Sequence, residues 1–204
     1  MGELASAIAQ VPVWIKVLYT LFVCALVPIY WMHYGPANFL WFSDIALLTL
    51  VAALWLENSL LASMMAVAVL GPELAWNVDF LVRLIFRGGT GGMSGYMFDQ
   101  SRPLLLRGLS LFHIVLPVVL IWLVWRLGYD RRALLWQMFL GWVVLVLTYF
   151  LTKPEANINW VYGWGGQPQQ RVPPLVYLGI MMVAFPVLIY LPTHWVLLRL
   201  FGRP

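Results

Sequence analysis

Six runs of this chain are each long and apolar enough to cross a bilayer, and together they consume most of its 204 residues. A spanning helix needs about 20 mainly apolar residues, and segments 14–34, 38–56, 60–86, 104–127, 133–152 and 174–201 qualify. Backbone polar groups in hydrocarbon must be satisfied within the spanning structure, which for runs of this length means helices. The sequence therefore predicts an all-α, polytopic membrane bundle of six transmembrane helices, one integral membrane domain over residues 1–204.

Composition closes off other classes. Hydrophobic residues make up 63% and charged residues 10% of the chain, against roughly 45–50% and 25% in a soluble domain. The net charge of +4 comes mainly from Arg. No basic run is long enough to follow a phosphate backbone, so nucleic acid is excluded as a partner and membrane lipids are expected instead. Cys24 is alone and offers no disulfide framework. Residues 1–12 carry little charge and precede an apolar run too long for a signal-peptide core, so the first helix is expected to be retained.

Turn chemistry sets the topology. Tyr34-Gly35-Pro36-Ala37 is a tight turn that forces the first two helices into a hairpin. Glu57-Asn58-Ser59 and the segment 128–132 make two further short turns, and two longer connections, 87–103 and 153–173, remain. Six crossings put both long connections and the first turn on one face. Placing the termini in the cytoplasm puts Lys16, Arg126, Arg131, Arg132, Arg199 and Arg203 inside, with Arg83, Arg87, Arg102, Arg107, Lys153 and Arg171 outside. This tie is broken by the dense Arg131-Arg132 pair in a short loop, and by Asp79 and Asp99 lying near Arg83 and Arg102. The expectation is a bacterial plasma (inner) membrane protein with cytoplasmic termini.

Ionisable groups in hydrocarbon are costly and usually face a bundle interior or a wet cavity. Asp44, Glu73, Asp79 and His113 all fall in the half of the bilayer beside the two long connections, and this convergence is the main functional signal. Asp79 and Arg83 are four residues apart and predict a structural ion pair near the interface. Glu73 has no such partner in its own helix, so it must be protonated or find His113, Arg107 or a metal across the bundle. Asp44, which follows Ser43, is expected to orient His113 if the second and fourth helices touch. His33 and His194 lie at helix ends away from this cluster and read as structural. Five prolines, at 28, 72, 117, 186 and 192, sit inside helices and read as bends; Gly71-Pro72 lies beside the Glu73 carboxylate, where freed carbonyls could join a polar site.

Several chemistries fail on spacing or context. Gly92-Met93-Ser94-Gly95 matches the GxSG of rhomboid proteases, but loop residues follow the serine where a membrane helix is required. Three histidines on three separate elements do not supply metal-ligand spacing, so no metal is assigned. Lys16 and Lys153 are too near helix ends for a mid-membrane Schiff base. Cofactor content is left open.

The order of short motifs resembles that of YwaF-type bacterial membrane proteins and their eukaryotic lipid acyltransferase relatives. The matching segments are Asn38-Phe39-Leu40-Trp41-Phe42-Ser43-Asp44, then Leu109-Ser110-Leu111-Phe112-His113, then Asn157-Ile158-Asn159-Trp160-Val161-Tyr162-Gly163 before Pro173-Pro174. The resemblance implies a lipid-handling membrane protein with His113 at its centre. The acyltransferase relatives have a cysteine nucleophile in the first motif, where this chain has Ser43 and Asp44, so thiol chemistry is excluded.

These readings predict an intramembrane polar pocket that binds or processes a lipid or lipophilic substrate. His113 is assigned as base or proton shuttle, Asp44 as its orienting group, and Ser43 as candidate nucleophile. Glu73 and Asn77 are assigned to hold a polar group of the substrate, and Asn157 and Asn159 to an aromatic-rich lid that reads its headgroup. The rivals are a non-catalytic subunit of a larger membrane complex, carrying pigment or redox groups and packing against partner subunits, and a small proton-coupled transporter.

Overall fold

A computed structural model describes residues 11–86, 92–165 and 167–202. Arg87 and Arg203 of the topology argument, and most of the N-terminal segment read for a signal, lie outside the described residues. The fold is an all-α bundle, with no strand among the described residues. Its helices are α1 (Val13–Tyr34), α2 (Phe42–Trp55), α3 (Ser59–Phe86), α4 (Leu104–Leu109), α5 (Phe112–Leu127), α6 (Ala133–Leu151), α7 (Pro174–Ala184) and α8 (Leu191–Phe201). Helices α4 and α5 together form one span, Leu104–Leu127, and α7, a π turn and α8 form another, Pro174–Phe201. With α1, α3 and α6 these make five spans long and apolar enough to cross a membrane, and α2 is a shorter apolar helix. This is the architecture of a membrane protein.

The expected second helix, 38–56, is therefore corrected. Its first residues form a 3-10 turn, Pro36–Leu40, and the chain is extended at Trp41 before α2 begins. The cause lies far away in sequence. Asn159 accepts from the Phe42 backbone N–H at 3.1 Å and donates to the Leu40 carbonyl at 2.7 Å, so one side chain satisfies the groups that a continuous helix would have paired. The result is a helix of 14 residues, about 21 Å long, set against a hydrocarbon core of about 30 Å. The fourth expected helix is also interrupted, at Ser110. Its hydroxyl bonds back to the Leu106 carbonyl at 3.0 Å, and tight turns follow in which His113 N–H donates to Ser110 O and Ile114 N–H to Leu111 O. Back-bonding of this kind competes with regular helix and bends it.

Hydrogen bonds between elements fix the topology. Lys16 near the start of α1 pairs with Glu57 just past α2 at 2.7 Å. Ser63 near the start of α3 accepts from the Asp130 backbone after α5, and Tyr129 N–H reaches the Phe201 carbonyl at the end of α8. These groups define one face. The opposite face carries the first turn and the described parts of both long connections, as the alternation of five spans and the shorter α2 requires. Helix α3 is the axis of the bundle and the most buried span, with α2, α5, α6 and α8 packed around it. Its N-terminus is capped by Asn58, whose side chain accepts from Leu61 N–H at 2.9 Å. At 28 residues it runs about 42 Å, longer than the hydrocarbon is thick, so its Asp79–Arg83 end reaches the interface.

Two of the internal prolines are compensated by neighbouring helices. Proline has no N–H, so the carbonyl four residues earlier loses its donor. For Pro117 that carbonyl is His113 O, and Asn77 Nδ2 donates to it at 2.7 Å. For Pro186 it is Met182 O, and Trp142 Nε1 donates to it at 2.8 Å. Beyond Pro186 the helix widens into the π turn Phe185–Tyr190, which swings the Tyr190 ring over Gly141 of α6. There a β-carbon would stand 2.6 Å from the Tyr190 hydroxyl, so the close approach requires glycine.

Candidate functional site: an aromatic cavity around His113 and Glu73

The end of α1, the first turn, the start of α2, the middle of α3, the start of α5, the π turn and both long connections line a cavity of about 640 Å³. Asp44, Glu73 and His113 all line it, together with Ser43, Asn157 and Asn159. Three of the four residues expected to converge, Asp44, Glu73 and His113, therefore border one cavity on the face carrying the long connections, whereas Asp79 does not line it.

The pairing inside the cluster differs from expectation. His113 Nδ1–H donates to Glu73, at 2.8 Å from Oε2 and 3.0 Å from Oε1, and Glu73 is almost fully buried. Glu73, not Asp44, is the carboxylate that orients the imidazole. An acceptor at Nδ1 leaves Nε2 as the ring nitrogen open to a ligand. The ring is further fixed by stacking on Trp76, with centroids 4.6 Å apart, and on Phe112 at 4.1 Å. Trp76 lies three residues after Glu73 and so on the same side of α3, a spacing that could have singled it out.

Asp44 stands apart from this dyad. Its Oδ2 accepts one long bond from Asn38, at 3.3 Å, and its Oδ1 has no hydrogen-bond partner among the described residues although the side chain is 3% exposed. Ser43 is half-buried at the wall. Among the described residues no hydrogen bond joins it to His113.

The asparagines carry structural bonds. Asn77 donates to its own helix at Glu73 O and to His113 O, which locks α3 to α5 directly behind the dyad. Asn157 donates to the carbonyls of Gly163 and Gly165 and accepts from Tyr162 N–H, folding the 157–165 segment into a compact loop. Asn159 ties that loop to the start of α2, as described above. Asn157, Asn159 and Trp160 have positive φ angles of 39°, 50° and 56°. Asparagine visits this region with little penalty, whereas a bulky residue is seldom found there. Trp160 is held in it with its ring at the cavity wall.

Asp79 and Arg83 form the expected ion pair at 2.9 Å. Asp79 also accepts from the backbone N–H and hydroxyl of Ser94, at 2.8 and 2.6 Å, fastening the first long connection over the end of α3. The serine of the GxSG sequence thus serves as a tether. Tyr96 in this connection has its hydroxyl pushed up by burial, with smaller effects from Ser110, Tyr30, Trp76 and Glu73. Tyr30 and Ser110 share a hydrogen bond of 2.8 Å on the cavity's α1 side. Sequence reasoning missed Tyr30, Trp76 and Tyr96. His33 bonds to the Ile29 carbonyl and His194 to the Tyr129 hydroxyl at 2.6 Å, both away from the cavity. Among the described residues no group of three or more His, Cys, Asp or Glu is placed to hold a metal ion.

Comparison of the chain with protein-family models, curated proteins and solved structures finds no match. The site must be interpreted on its own geometry.

Proposed function

We propose that this membrane protein binds and processes a lipid or other lipophilic substrate in the cavity around His113. The observation that carries this reading is the His113–Glu73 contact inside a cavity large enough for a substrate. Pockets of roughly 300–1,000 Å³ lined by aromatic side chains and a few convergent polar groups are the usual form of small-molecule sites. In this reading His113 Nε2 takes or gives the proton, Glu73 stabilises the imidazolium that forms, and Ser43 is the candidate nucleophile. The likeness to YwaF-type proteins belongs to the same proposal. It is supported by residues from all three resembling segments, Asp44, His113 and Asn157 among them, bordering one cavity. The membrane is taken to be the bacterial inner membrane, with cytoplasmic termini, so that the cavity faces outward.

The test is turnover by purified protein given a membrane lipid extract, with substrate loss and product gain read by mass spectrometry. His113→Ala is expected to abolish turnover at a temperature where the gel-filtration profile still shows folded protein, although the loss of Glu73's partner lowers the unfolding midpoint. Retained turnover removes the catalytic role of His113.

One observation favours a second reading, a non-catalytic subunit of a larger complex. Asn77, Asn157 and Asn159 spend their amides on protein groups, and Ser43 has no activating bond among the described residues. Extraction in mild detergent separates the two: a stoichiometric partner supports the subunit reading, and a stable monomer with turnover supports the enzyme.

A further inference from the structure

The cavity's charges are unequally satisfied. Glu73 directs both carboxylate oxygens at His113. Arg102 leans over the Tyr96 ring at 5.7 Å and faces Asp99 at 3.6 Å, with its side chain 42% exposed. Asp44 is different: it is buried at the cavity wall, holds only the long bond from Asn38, and keeps Oδ1 without a partner among the described residues. A carboxylate oxygen taken out of water and left unpaired is expensive, and a cation or hydrogen-bond donor that entered the cavity would remove that cost. The remaining walls favour a cation over a neutral donor. Tyr30, Tyr34, Trp41, Trp76 and Trp160 line the same space, and aromatic faces attract ammonium groups, most strongly where water is excluded.

We propose that the cavity is a binding site for a primary ammonium group carried on an apolar chain, and that Asp44 Oδ1 is the acceptor that receives its N–H. The aromatic walls hold the charge from the sides, and the apolar chain leaves toward the membrane. A quaternary ammonium would satisfy the walls but not the empty acceptor, which is why the primary amine is specified. This inference rests on the lipophile-binding reading above and adds the chemical class of the headgroup. An aminolipid or a free alkylamine would supply it.

The test is equilibrium dialysis of full-length protein in a nonionic detergent, using radiolabelled octylamine and octanol, with protein-free micelles subtracted. Octylamine is protonated at neutral pH, as a lysine side chain is. It is expected to bind at least about tenfold more tightly than octanol. Asp44→Asn should erase that difference by weakening octylamine far more than octanol. Equal affinity of the two probes, or a preference that survives Asp44→Asn, overturns the ammonium site and leaves the lipophile reading standing. Binding of neither probe overturns both. Should Asp44→Asn not fold, the wild-type preference for octylamine over octanol decides alone. Displacement of bound octylamine by short-chain phosphatidylethanolamine, but not by phosphatidylglycerol, would identify a lipid headgroup as the source. Displacement by ethanolamine alone would identify a free amine. Either result supports the site, and failure of every amine to displace octylamine overturns it.

Discussion

The Asn77 side chain donates at 2.7 Å to the carbonyl of His113, the group whose helical donor Pro117 removes. A proline in one helix is thereby matched to an amide in its neighbour, and the same bond fixes the backbone of the residue at the centre of the cavity. Asn77→Ala should leave that carbonyl unpaired and cost about 1–3 kcal/mol. Pro117→Ala in the same chain should recover part of the loss, because residue 117 then donates to His113 O itself. A double-mutant cycle on thermal or denaturant unfolding measures this; additive effects would show that the two positions are not coupled.

Asn159 acts across a longer distance, capping α2 from the second long connection. Asn159→Ala removes an acceptor for Phe42 N–H and a donor for Leu40 O together. Loss of a helix cap costs about 0.5–2 kcal/mol. The change should also release the 157–165 loop, so limited proteolysis between residues 153 and 173 should accelerate several-fold while cleavage elsewhere is unchanged. Asn159→Asp keeps the acceptor alone and should fall between the two.

These two asparagines show what the sequence could and could not convey. Spans are legible because a run of apolar residues has one solution in a bilayer, and the Asp79–Arg83 pair is legible because helical spacing alone brings those groups together. Depth along a helix is legible too, which is why Asp44, Glu73 and His113 could be placed in one half of the bilayer. Rotation about the helix axis is not. Both carboxylates lie in the same half of the bilayer as His113, and only packing decides that Glu73 is the one that bonds the imidazole. The break at Trp41 was hidden for a related reason, since its cause, Asn159, is remote in sequence. Pro117 and Pro186 read as simple bends until Asn77 and Trp142 are seen beside the carbonyls they free.

Outside the spans, the turn after α5 should respond to pH. Hydrogen bonds from the Arg132 side chain, aided by its backbone N–H, hold the Asp130 carboxyl below the ordinary carboxylate range against a smaller opposing effect of burial. Because the folded value is depressed, Asp130 stabilises the fold fully above the usual value of 3.8 and loses that contribution as pH falls through the folded value. Unfolding midpoints measured from pH 5 downward should decline less steeply in Asp130→Asn than in wild type. Parallel declines would show that Asp130 contributes nothing there.

The Glu73–His113 pair separates stability from function. Removing one partner of a buried hydrogen-bonded pair leaves the other unsatisfied, so Glu73→Leu alone should destabilise by about 1–3 kcal/mol. Replacing both partners with apolar groups of similar size removes the penalty, because neither polar group then remains to be satisfied. The double variant Glu73→Leu with His113→Phe should therefore unfold at a midpoint near that of wild type, its new ring packing against Trp76 and Phe112. If the dyad exists for chemistry, this well-folded variant loses turnover completely. If it exists only to register α3 against α5, the double variant keeps whatever activity the protein has, and His113 is structural.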